Sequence, residues 1–275
     1  MRIREILRQE KDVPRIDLVA IIAFVLSTTT ERIYMDLSAE LPPAACLQIR
    51  ESIAQRKTGR PLAYLTGTRE FFSEQFLVDE RVLVPRPETE LLVEEAIRVM
   101  GERTDPRVLD MGTGSGIIGA LLAQHGATDV TCIDISCEAL LVARENAKRL
   151  GVQERITHVC SDLFGGIKKE QRFDVVVANL PYVSKSEWEG LTRDVRFEPY
   201  VALVGGDRGT ELYERFVSTL TGYLGENGVA LCEVGGDAQA ESLGEAMRRL
   251  GFEVRTEKDL EGRQRVLVGS WKSSS

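Results

Sequence analysis

The 275-residue sequence lacks the features that define several protein classes. No stretch reaches the roughly 18 consecutive apolar residues that a membrane-spanning helix requires. The first residues do not show the charged, apolar and small-residue regions of a secretory signal peptide. There are two histidines, and because neither follows a predicted strand we expect no catalytic histidine. These absences predict a cytoplasmic protein that does not act at a membrane.

Cysteine is present but shows no organised spacing. The cysteines are odd in number and include no Cys-x-x-Cys pair: Cys46, Cys132, Cys137, Cys160 and Cys232. A disulfide framework normally has an even number of cysteines, and a structural zinc site has closely spaced pairs. We therefore expect reduced thiols, no disulfide framework and no metal site.

Positive charge is in deficit. The chain has 35 Lys and Arg against 43 Asp and Glu, which gives a formal net charge of −8. Proteins that bind nucleic acid in general carry a basic patch for the phosphates. We therefore expect no direct binding of nucleic acid, and we expect a monomer.

The pattern of apolar residues divides the chain into three segments: 1–66, 67–85 and 86–275. The first reads as helices, and the second as short aromatic and β-branched strands of a hairpin. In the third, short apolar strands alternate with helices, which is typical of a mostly parallel sheet covered on both faces. The last two strands are joined too closely for a crossover helix, so they should be antiparallel. The terminal serines, 273–275, are predicted to be disordered. The predicted strands of the third segment are Val108–Asp110, Val130–Asp134, Ile156–Cys160, Phe173–Asn179, Val229–Val234, Phe252–Thr256 and Gln264–Gly269.

A glycine-rich turn joins the first of these strands to a helix in "RVLDMGTGSGIIGALLA". Glycine permits a tight turn and lets a ligand approach the backbone. The spacing is Gly-x-Gly-x-Gly, not the Gly-x-Gly-x-x-Gly of dinucleotide-binding proteins. Asp110, just before the turn, would repel a pyrophosphate but suits the cationic amino group and sulfonium of S-adenosyl-L-methionine. The candidate cofactor-binding residues of the turn are Gly112, Thr113, Gly114, Ser115 and Gly116.

Two further carboxylates follow predicted strands. Asp134 ends the second strand, at about the spacing from the glycine turn at which an acidic residue binds ribose hydroxyls. Asp162 follows the third strand and could accept from an adenine amino group, while Leu163 could cover the ring. Each has a simpler interpretation, Asp134 as a helix N-cap and Asp162 as a turn residue. Because ligands bind at the carboxyl edge of such sheets, their combination favours a cofactor site.

The fourth strand ends in Asn179-Leu180-Pro181-Tyr182, at the same predicted edge. The Asn179 side-chain oxygen and the Leu180 carbonyl could accept the two protons of a planar NH₂ group. Pro181 stiffens the turn, and the Tyr182 ring could stack on the substrate. The tetrapeptide is therefore predicted to hold a planar amine or amide for methylation, with Asn179 also next to the cofactor.

Several segments together resemble the HemK/PrmC family, the peptide chain release factor glutamine N5-methyltransferases. They include "VLVPRPETELLVEEA", "VLDMGTGSG", "VVVANLPYVS", "LCEVGGDAQ" and "DLEGRQRVLVG". The resemblance implies a Rossmann-like class I S-adenosylmethionine-dependent methyltransferase sheet, α/β with an antiparallel last strand. It also implies a small helical N-terminal domain that docks the substrate, and a β-hairpin linker after it.

The resemblance further implies methyl transfer from S-adenosyl-L-methionine, with S-adenosyl-L-homocysteine as the product. The acceptor would be the side-chain amide of the glutamine in the Gly-Gly-Gln motif of class I release factors, the expected partners. Pro85, Arg86, Pro87 and Glu88 match a segment that borders the active site, and Arg86 and Glu88 are candidate substrate-binding residues.

Two positions depart from the family pattern. Leu180 stands where the family usually has proline, and Arg208 stands where an acidic residue is expected. Asn-Leu-Pro-Tyr also occurs in ribosomal RNA adenine dimethyltransferases, so a nucleic-acid N-methyltransferase is the alternative function. An inactive relative that only binds a partner is a further alternative, and the glycine spacing disfavours an NAD-dependent reductase.

Overall fold

The computed structural model describes residues 1–271, so the prediction for the terminal serines lies outside the described residues. The α-helices are α1 (Ile3–Gln9), α2 (Arg15–Val25), α3 (Thr30–Met35), α4 (Pro43–Lys57), α5 (Leu62–Thr66), α6 (Thr89–Gly101), α7 (Ile117–Gln124), α8 (Cys137–Arg149), α9 (Lys185–Gly190), α10 (Arg193–Arg196), α11 (Glu211–Leu220) and α12 (Asp237–Arg249). The strands are β1 (Thr68–Phe71), β2 (Glu74–Leu77), β3 (Arg107–Met111), β4 (Asp129–Asp134), β5 (Ile156–Cys160), β6 (Phe173–Ala178), β7 (Val183–Ser184), β8 (Val204–Gly206), β9 (Leu224–Glu233), β10 (Phe252–Lys258) and β11 (Gln264–Trp271). Short 3₁₀ helices cover Gln153–Arg155, Leu163–Gly166 and Tyr200–Ala202.

The larger sheet has seven strands in the order β10-β11-β9-β6-β3-β4-β5. Neighbouring strands from β9 to β5 pair in parallel, while β11 is antiparallel to both β9 and β10. All seven predicted strands are present, and the predicted antiparallel hairpin at the end of the chain is confirmed. With helices on both faces, the sheet has the architecture that the family resemblance implies.

Both faces of the sheet are covered, which explains the continuous apolar run of β6. Val175 and Val177 belong to one buried cluster, together with α6 and α7. Val176 and Ala178 belong to the other, together with α11 and α12. Because successive side chains of a strand point to opposite faces, the part of β6 that is covered on both sides, Val175–Ala178, is apolar at every position.

The chain forms two compact units. Residues 1–68 and 191–198 make up one unit, and residues 69–190 with those from Pro199 onward make up the other. In the first unit, α2 and α4 bury a core that includes Leu18, Ile22 and Ile49. Arg56 of α4 pairs there with Asp17 at 2.8 Å and with Asp194 at 2.5 Å.

Residues 191–198 therefore contribute to the N-terminal unit, although the sequence prediction placed them within the segment 86–275. Over residues 1–271, no helix combines the length and the hydrophobicity needed to cross a bilayer.

Candidate active site

A cavity of about 380 Å³ lies in the second unit, at the carboxyl ends of the central strands. Its volume is within the range of small-molecule binding sites, about 300–1,000 Å³. Most of the residues predicted from the sequence line it: Arg86, Gly112, Thr113, Gly114, Ser115, Asp134, Asp162, Leu163, Asn179, Leu180 and Pro181. Glu88, Asp110, Gly116 and Tyr182, which were also predicted, are not among the lining residues.

The glycine turn, residues 112–116, follows β3 and leads into α7. Gly112 and Gly116 have φ of 76° and 79°, a region that side chains other than glycine adopt at a cost. A Cβ at Gly112 would lie 2.9 Å from Leu180 Cδ2, and one at Gly116 would lie 2.7 Å from the Cβ of Ala143. Glycine at these positions therefore lets the turn approach the β6 end on one side and α8 on the other.

Asp110 stabilises the glycine turn through hydrogen bonds from the buried end of β3. The side chain is fully buried, and its Oδ2 accepts from the Thr113 hydroxyl at 2.5 Å and from the Gly119 amide at 2.9 Å. Its Oδ1 is buried without a hydrogen-bond partner among the described residues. Burial raises the pKa of Asp110 to about 6, against the effect of the two donors. Asp110 was expected next to the ligand. In the structure it does not line the cavity and instead forms hydrogen bonds that support the glycine turn.

Asp134, at the end of β4, lies on the cavity surface. Its Oδ2 accepts from the Gly114 amide at 2.8 Å, and its Oδ1 accepts from the Ser136 amide at 2.8 Å. Desolvation raises its pKa. The N-cap of α8 is Ser136, whose hydroxyl accepts from the Ala139 amide at 3.1 Å. The alternative interpretation of Asp134 as an N-cap is therefore wrong, and each of its oxygens retains a lone pair for a ligand hydroxyl.

Asp162 and Leu163 follow β5 at the rim of the cavity. Asp162 is half exposed and pairs with Arg215 of α11 at 2.7 Å. Leu163 has φ of 48°, an uncommon value for a residue with a branched side chain. Such backbone strain often occurs at ligand sites, where surrounding contacts maintain it.

Asn179 connects the cavity to a buried polar cluster. Its Nδ2 donates to the Thr89 hydroxyl at 3.2 Å, and this hydroxyl donates to Glu233 Oε2 at 2.7 Å. Thr89 begins α6 and Glu233 ends β9, and both side chains are almost fully buried. Burial raises the pKa of Glu233 to about 7, although the hydrogen bonds from Thr89 and Asn179 oppose this shift.

The rest of the tetrapeptide is held by Tyr213 and by packing. The Leu180 amide donates to the Tyr213 hydroxyl at 3.2 Å, and that hydroxyl donates to the Glu233 carbonyl at 2.5 Å. The Leu180 side chain is buried, so this departure from the family pattern fills space beneath the turn. The Tyr182 ring lies against Gly235, where an added Cβ would be 3.0 Å from it. Burial raises the pKa of the Tyr182 hydroxyl.

The segment from Pro85 to Glu88 is only partly at the cavity. Pro85 and Arg86 line it, whereas Glu88 is exposed and directly precedes α6. Arg208, the second departure from the family pattern, forms ion pairs with Glu211 at 3.3 Å and with Glu214 at 2.9 Å. It thus stabilises the start of α11.

The expectation that all thiols are reduced is wrong for one pair, because Cys137 and Cys160 form a disulfide. Cys160 pairs with Asp134 across the β4–β5 ladder, and Cys137 begins the helix that returns over this edge. Their Cα atoms are therefore 5.3 Å apart, a separation that suits a disulfide. Since 23 residues separate them in sequence, their spacing does not reveal the pairing. No group of His, Cys, Asp and Glu in the described part of the chain is arranged to bind a metal.

Sequence reasoning missed four functional candidates: Thr89, Tyr213, Arg215 and Glu233. Thr89 and Glu233 lie within the motifs "PRPETE" and "LCEVGG", where the sequence pattern indicates no role for either side chain. No local pattern distinguishes Tyr213 or Arg215, because their partners are more than thirty residues away, with separations of 33 and 53.

The family comparisons agree with this geometry. Residues 2–67 match the PrmC N-terminal domain, and residues 108–196 match a methyltransferase domain. The release factor glutamine methyltransferase of Rhodopirellula baltica is 39% identical over 261 residues, which cover 92% of this chain and 88% of that protein. The chain belongs to the release factor glutamine methyltransferase family. A second member, from Koribacter versatilis, is 39% identical over 263 residues, with coverage of 94% and 92%.

Solved structures support the fold of this family member. The ribosomal protein L11 methylase from Lactobacillus delbrueckii subsp. bulgaricus has a TM-score of 0.54 with 22% identity. The match covers 74% of this chain and 90% of that one. The resemblance to the HemK/PrmC family and the prediction of S-adenosyl-L-methionine as cofactor are both confirmed.

The cavity residues suit this cofactor. The glycine turn leaves open space at Gly114, where an added Cβ would meet no atom within 4 Å, and the cavity volume lies in the range of small-molecule sites. Asp134 provides acceptors for hydroxyl groups, and Leu163 provides an apolar surface. The buried Asp110 carboxyl lies beneath the turn, where its ionised form would favour a cationic ligand over a pyrophosphate.

Proposed function

We propose that this chain transfers a methyl group to the side-chain amide nitrogen, N5, of the glutamine in the Gly-Gly-Gln motif of class I peptide chain release factors. The transfer modulates translation termination. The observation that carries the proposal is Asn179: its amide lines the cofactor cavity and is held by a buried hydroxyl that is itself bonded to a carboxylate. An amide held in this way can orient another amide.

When bound, S-adenosyl-L-methionine supplies an electrophilic methyl group on a sulfonium, and S-adenosyl-L-homocysteine is the product. The residues of the chain position the acceptor. The Asn179 Oδ1 accepts one proton of the glutamine NH₂ group, and the Leu180 carbonyl accepts the other. Positioning of the nitrogen about 3 Å from the methyl carbon and in line with the sulfur then accounts for most of the rate. The nitrogen that gains the methyl group loses one of its two protons, which passes to solvent.

The remaining predicted residues have supporting roles in this proposal. The glycine turn and Asp134 bind the cofactor, with Asp162 and Leu163 at the adenine end. Pro181 keeps the tetrapeptide rigid, and Tyr182 anchors its end against Gly235. Arg86 binds the substrate at the cavity mouth, with Glu88 outside it.

We further propose that the protein acts as a cytoplasmic monomer on a protein substrate. The net charge of −8 supports a protein partner over a nucleic acid. The alternative, methylation of an exocyclic amine in ribosomal RNA or DNA, would use the same planar acceptor chemistry at the tetrapeptide.

The test is transfer of labelled methyl from S-adenosyl-L-methionine to a purified release factor. The matched control is the same factor with the glutamine of its Gly-Gly-Gln motif replaced. We expect label on the first protein and none on the second. Label on neither, with the cofactor still bound, would contradict the proposal, and label on ribosomal RNA or DNA would establish the alternative.

A further inference from the structure

The buried cluster next to Asn179 joins three elements that are distant in sequence. Asn179 follows β6, Thr89 starts α6 and Glu233 ends β9. Their hydrogen bonds span 90 residues between Asn179 and Thr89 and 144 residues between Thr89 and Glu233. Thr89 is 1% exposed and Glu233 is 2% exposed, so the bond between them is shielded from water, while Asn179 is partly buried at the cavity wall.

The chemistry of this cluster sets the direction of each hydrogen bond. Above the raised pKa of Glu233 its carboxylate is ionised and only accepts, so the single proton of the Thr89 hydroxyl goes to Glu233. The Thr89 oxygen can then only accept, and Asn179 must present its NH₂ group to it. An amide with its NH₂ group held in this way has its carbonyl oxygen on the other branch, free of Thr89. The two possible orientations of the Asn179 amide are thereby reduced to one.

We propose that Thr89 and Glu233 are positioning residues that fix the Asn179 amide with its carbonyl oxygen available to the substrate glutamine. This inference deepens the proposed function and rests on it. Neither residue touches the reacting atoms, because both act through Asn179. If the Asn179 amide were rotated by 180°, its NH₂ group would face the NH₂ group of the substrate. Two donors would then face each other, and no hydrogen bond could form between them.

The same end of β9 also holds the backbone of the tetrapeptide. The carbonyl of Glu233 accepts from the Tyr213 hydroxyl, which accepts from the Leu180 amide. The side chain and the main chain of Glu233 thus reach the two residues whose oxygens would hold the substrate NH₂ group. This shared anchor links the orientation of the Asn179 amide to the position of the Leu180 peptide.

Packing alone does not explain the cluster. A buried carboxyl is costly to maintain, and an apolar group of similar volume would often be more favourable for stability. The raised pKa of Glu233 reflects this cost of burial. A hydrogen-bonded carboxyl at this position is understandable if its acceptor oxygen is needed to order the hydroxyl and, through it, the amide.

The experiment compares Thr89→Val with Thr89→Ser in the full-length protein. Valine keeps the shape and removes the hydroxyl, whereas serine keeps the hydroxyl. For Thr89→Val we expect kcat to fall on the order of 100-fold, the effect of misplacing a reacting group by about 1 Å. The dissociation constant of S-adenosyl-L-methionine, from a binding titration, should not change. For Thr89→Ser we expect most of the lost kcat to return. Thr131→Val, at a buried threonine within β4, is the control for replacing a buried hydroxyl.

A second readout does not depend on turnover. The side-chain NH₂ protons of Asn179, identified by their absence in Asn179→Ala, should exchange slowly with solvent in the wild-type protein. They should exchange faster in Thr89→Val and again slowly in Thr89→Ser.

The outcomes separate this inference from the proposed function. If the wild-type protein labels no release factor, the proposed function fails, while the exchange measurement still decides whether Thr89 orders Asn179. If the wild-type protein is active and Thr89→Val keeps its kcat and its slow exchange, the positioning role is wrong. A Thr89→Val loss of stability without loss of kcat, or a loss of kcat that Thr89→Ser does not restore, would also overturn it.

Discussion

The two sides of the cavity are built in different ways. The glycine turn, residues 112–116, has a local contact between Asp110 and Thr113 at a separation of three residues. Its longer hydrogen bonds, from the Gly114 amide to Asp134 and from Asn146 to the Ser115 carbonyl, span 20 and 31 residues. The tetrapeptide, residues 179–182, depends on partners 33 and 90 residues away, Tyr213 and Thr89.

This difference reflects how precisely each group must be positioned. A turn that binds a cofactor through its backbone can be specified by consecutive strand-helix units, which here run from β3 to α8. A group that must align a substrate amide requires support from several directions, since a local turn does not fix the rotation of a side chain. The tetrapeptide therefore depends on α6, β9 and α11 at once.

The largest expected effect is on the tetrapeptide side. Asn179→Ala removes the acceptor for one amide proton, and we expect kcat to fall on the order of 100- to 1,000-fold, as for other preorganised polar groups. Steady-state methylation of a release factor measures this loss, and a urea titration checks that the fold is retained. Full activity of Asn179→Ala would show that the tetrapeptide does not orient the substrate through the Asn179 amide.

Removing the disulfide tests the glycine-turn side of the cavity, because Cys137 lies close to Asp134 in sequence and Cys160 lies close to Asp162. Replacing both with serine should lower the free energy of unfolding by about 2–4 kcal/mol, since the reduced chain has a less constrained unfolded state. Urea unfolding with and without a reductant measures the effect. The reductant should destabilise the wild-type protein and leave the double variant unchanged, and Cys46→Ser, at a free cysteine, should behave as the wild type. A reductant effect that persists in the double variant would contradict the assignment.

Glu233→Gln measures how much the buried carboxyl, which supports the tetrapeptide, lowers the free energy of unfolding. The pKa of Glu233 is raised from 4.5 to about 7, so the folded state keeps a proton that the unfolded state loses between these values. The contribution of this group is fully favourable below its unfolded pKa and is lost as the pH rises through its folded pKa. The wild-type protein should therefore lose up to about 3 kcal/mol of stability relative to Glu233→Gln across this range.

Urea midpoints of both proteins on either side of this range measure the difference. The glutamine oxygen can still accept from Thr89, so most of the activity should remain. A difference in stability that does not change with pH would refute the role of burial.

The smallest expected effect compares two glycines of the turn. Gly114 has φ of 54°, and a Cβ added there would meet no atom within 4 Å, so Gly114→Ala should cost only the backbone term of about 1–2 kcal/mol. Gly112→Ala adds a clash with Leu180 Cδ2 and should cost more. Because Gly112 lies where the turn meets the tetrapeptide, we expect this variant to reduce both cofactor affinity and kcat. Equal effects of the two substitutions on stability would show that the close approach to Leu180 is unimportant.

Much of the fold was predictable because its signals are local. The apolar runs of β3, β4, β6 and β9 and the short link between β10 and β11 indicated the sheet and its antiparallel strand. The same reasoning could not find the excursion of residues 191–198 into the N-terminal unit, because Arg56 and Asp194 are 138 residues apart.

For the candidate site, the sequence indicated which residues take part better than it indicated how they are arranged. The position of Asp134 and Asn179 at strand ends was enough to place them at one edge of the sheet. The sequence did not reveal that Asp110 lies beneath the turn, that Tyr182 packs against Gly235, or that Cys137 meets Cys160. Each of these outcomes depends on which side chain a neighbouring element presents.

Local patterns in the sequence are enough to indicate the order of strands and helices, the glycine turn and the amide at the end of β6. These follow from the periodicity of apolar residues and from the conformational freedom of glycine, which act over a few residues. The orientation of the Asn179 amide, in contrast, is known from the three-dimensional structure alone. That orientation depends on a hydroxyl and a carboxylate brought together by packing, and hydrogen-bond direction is a property of the assembled cluster.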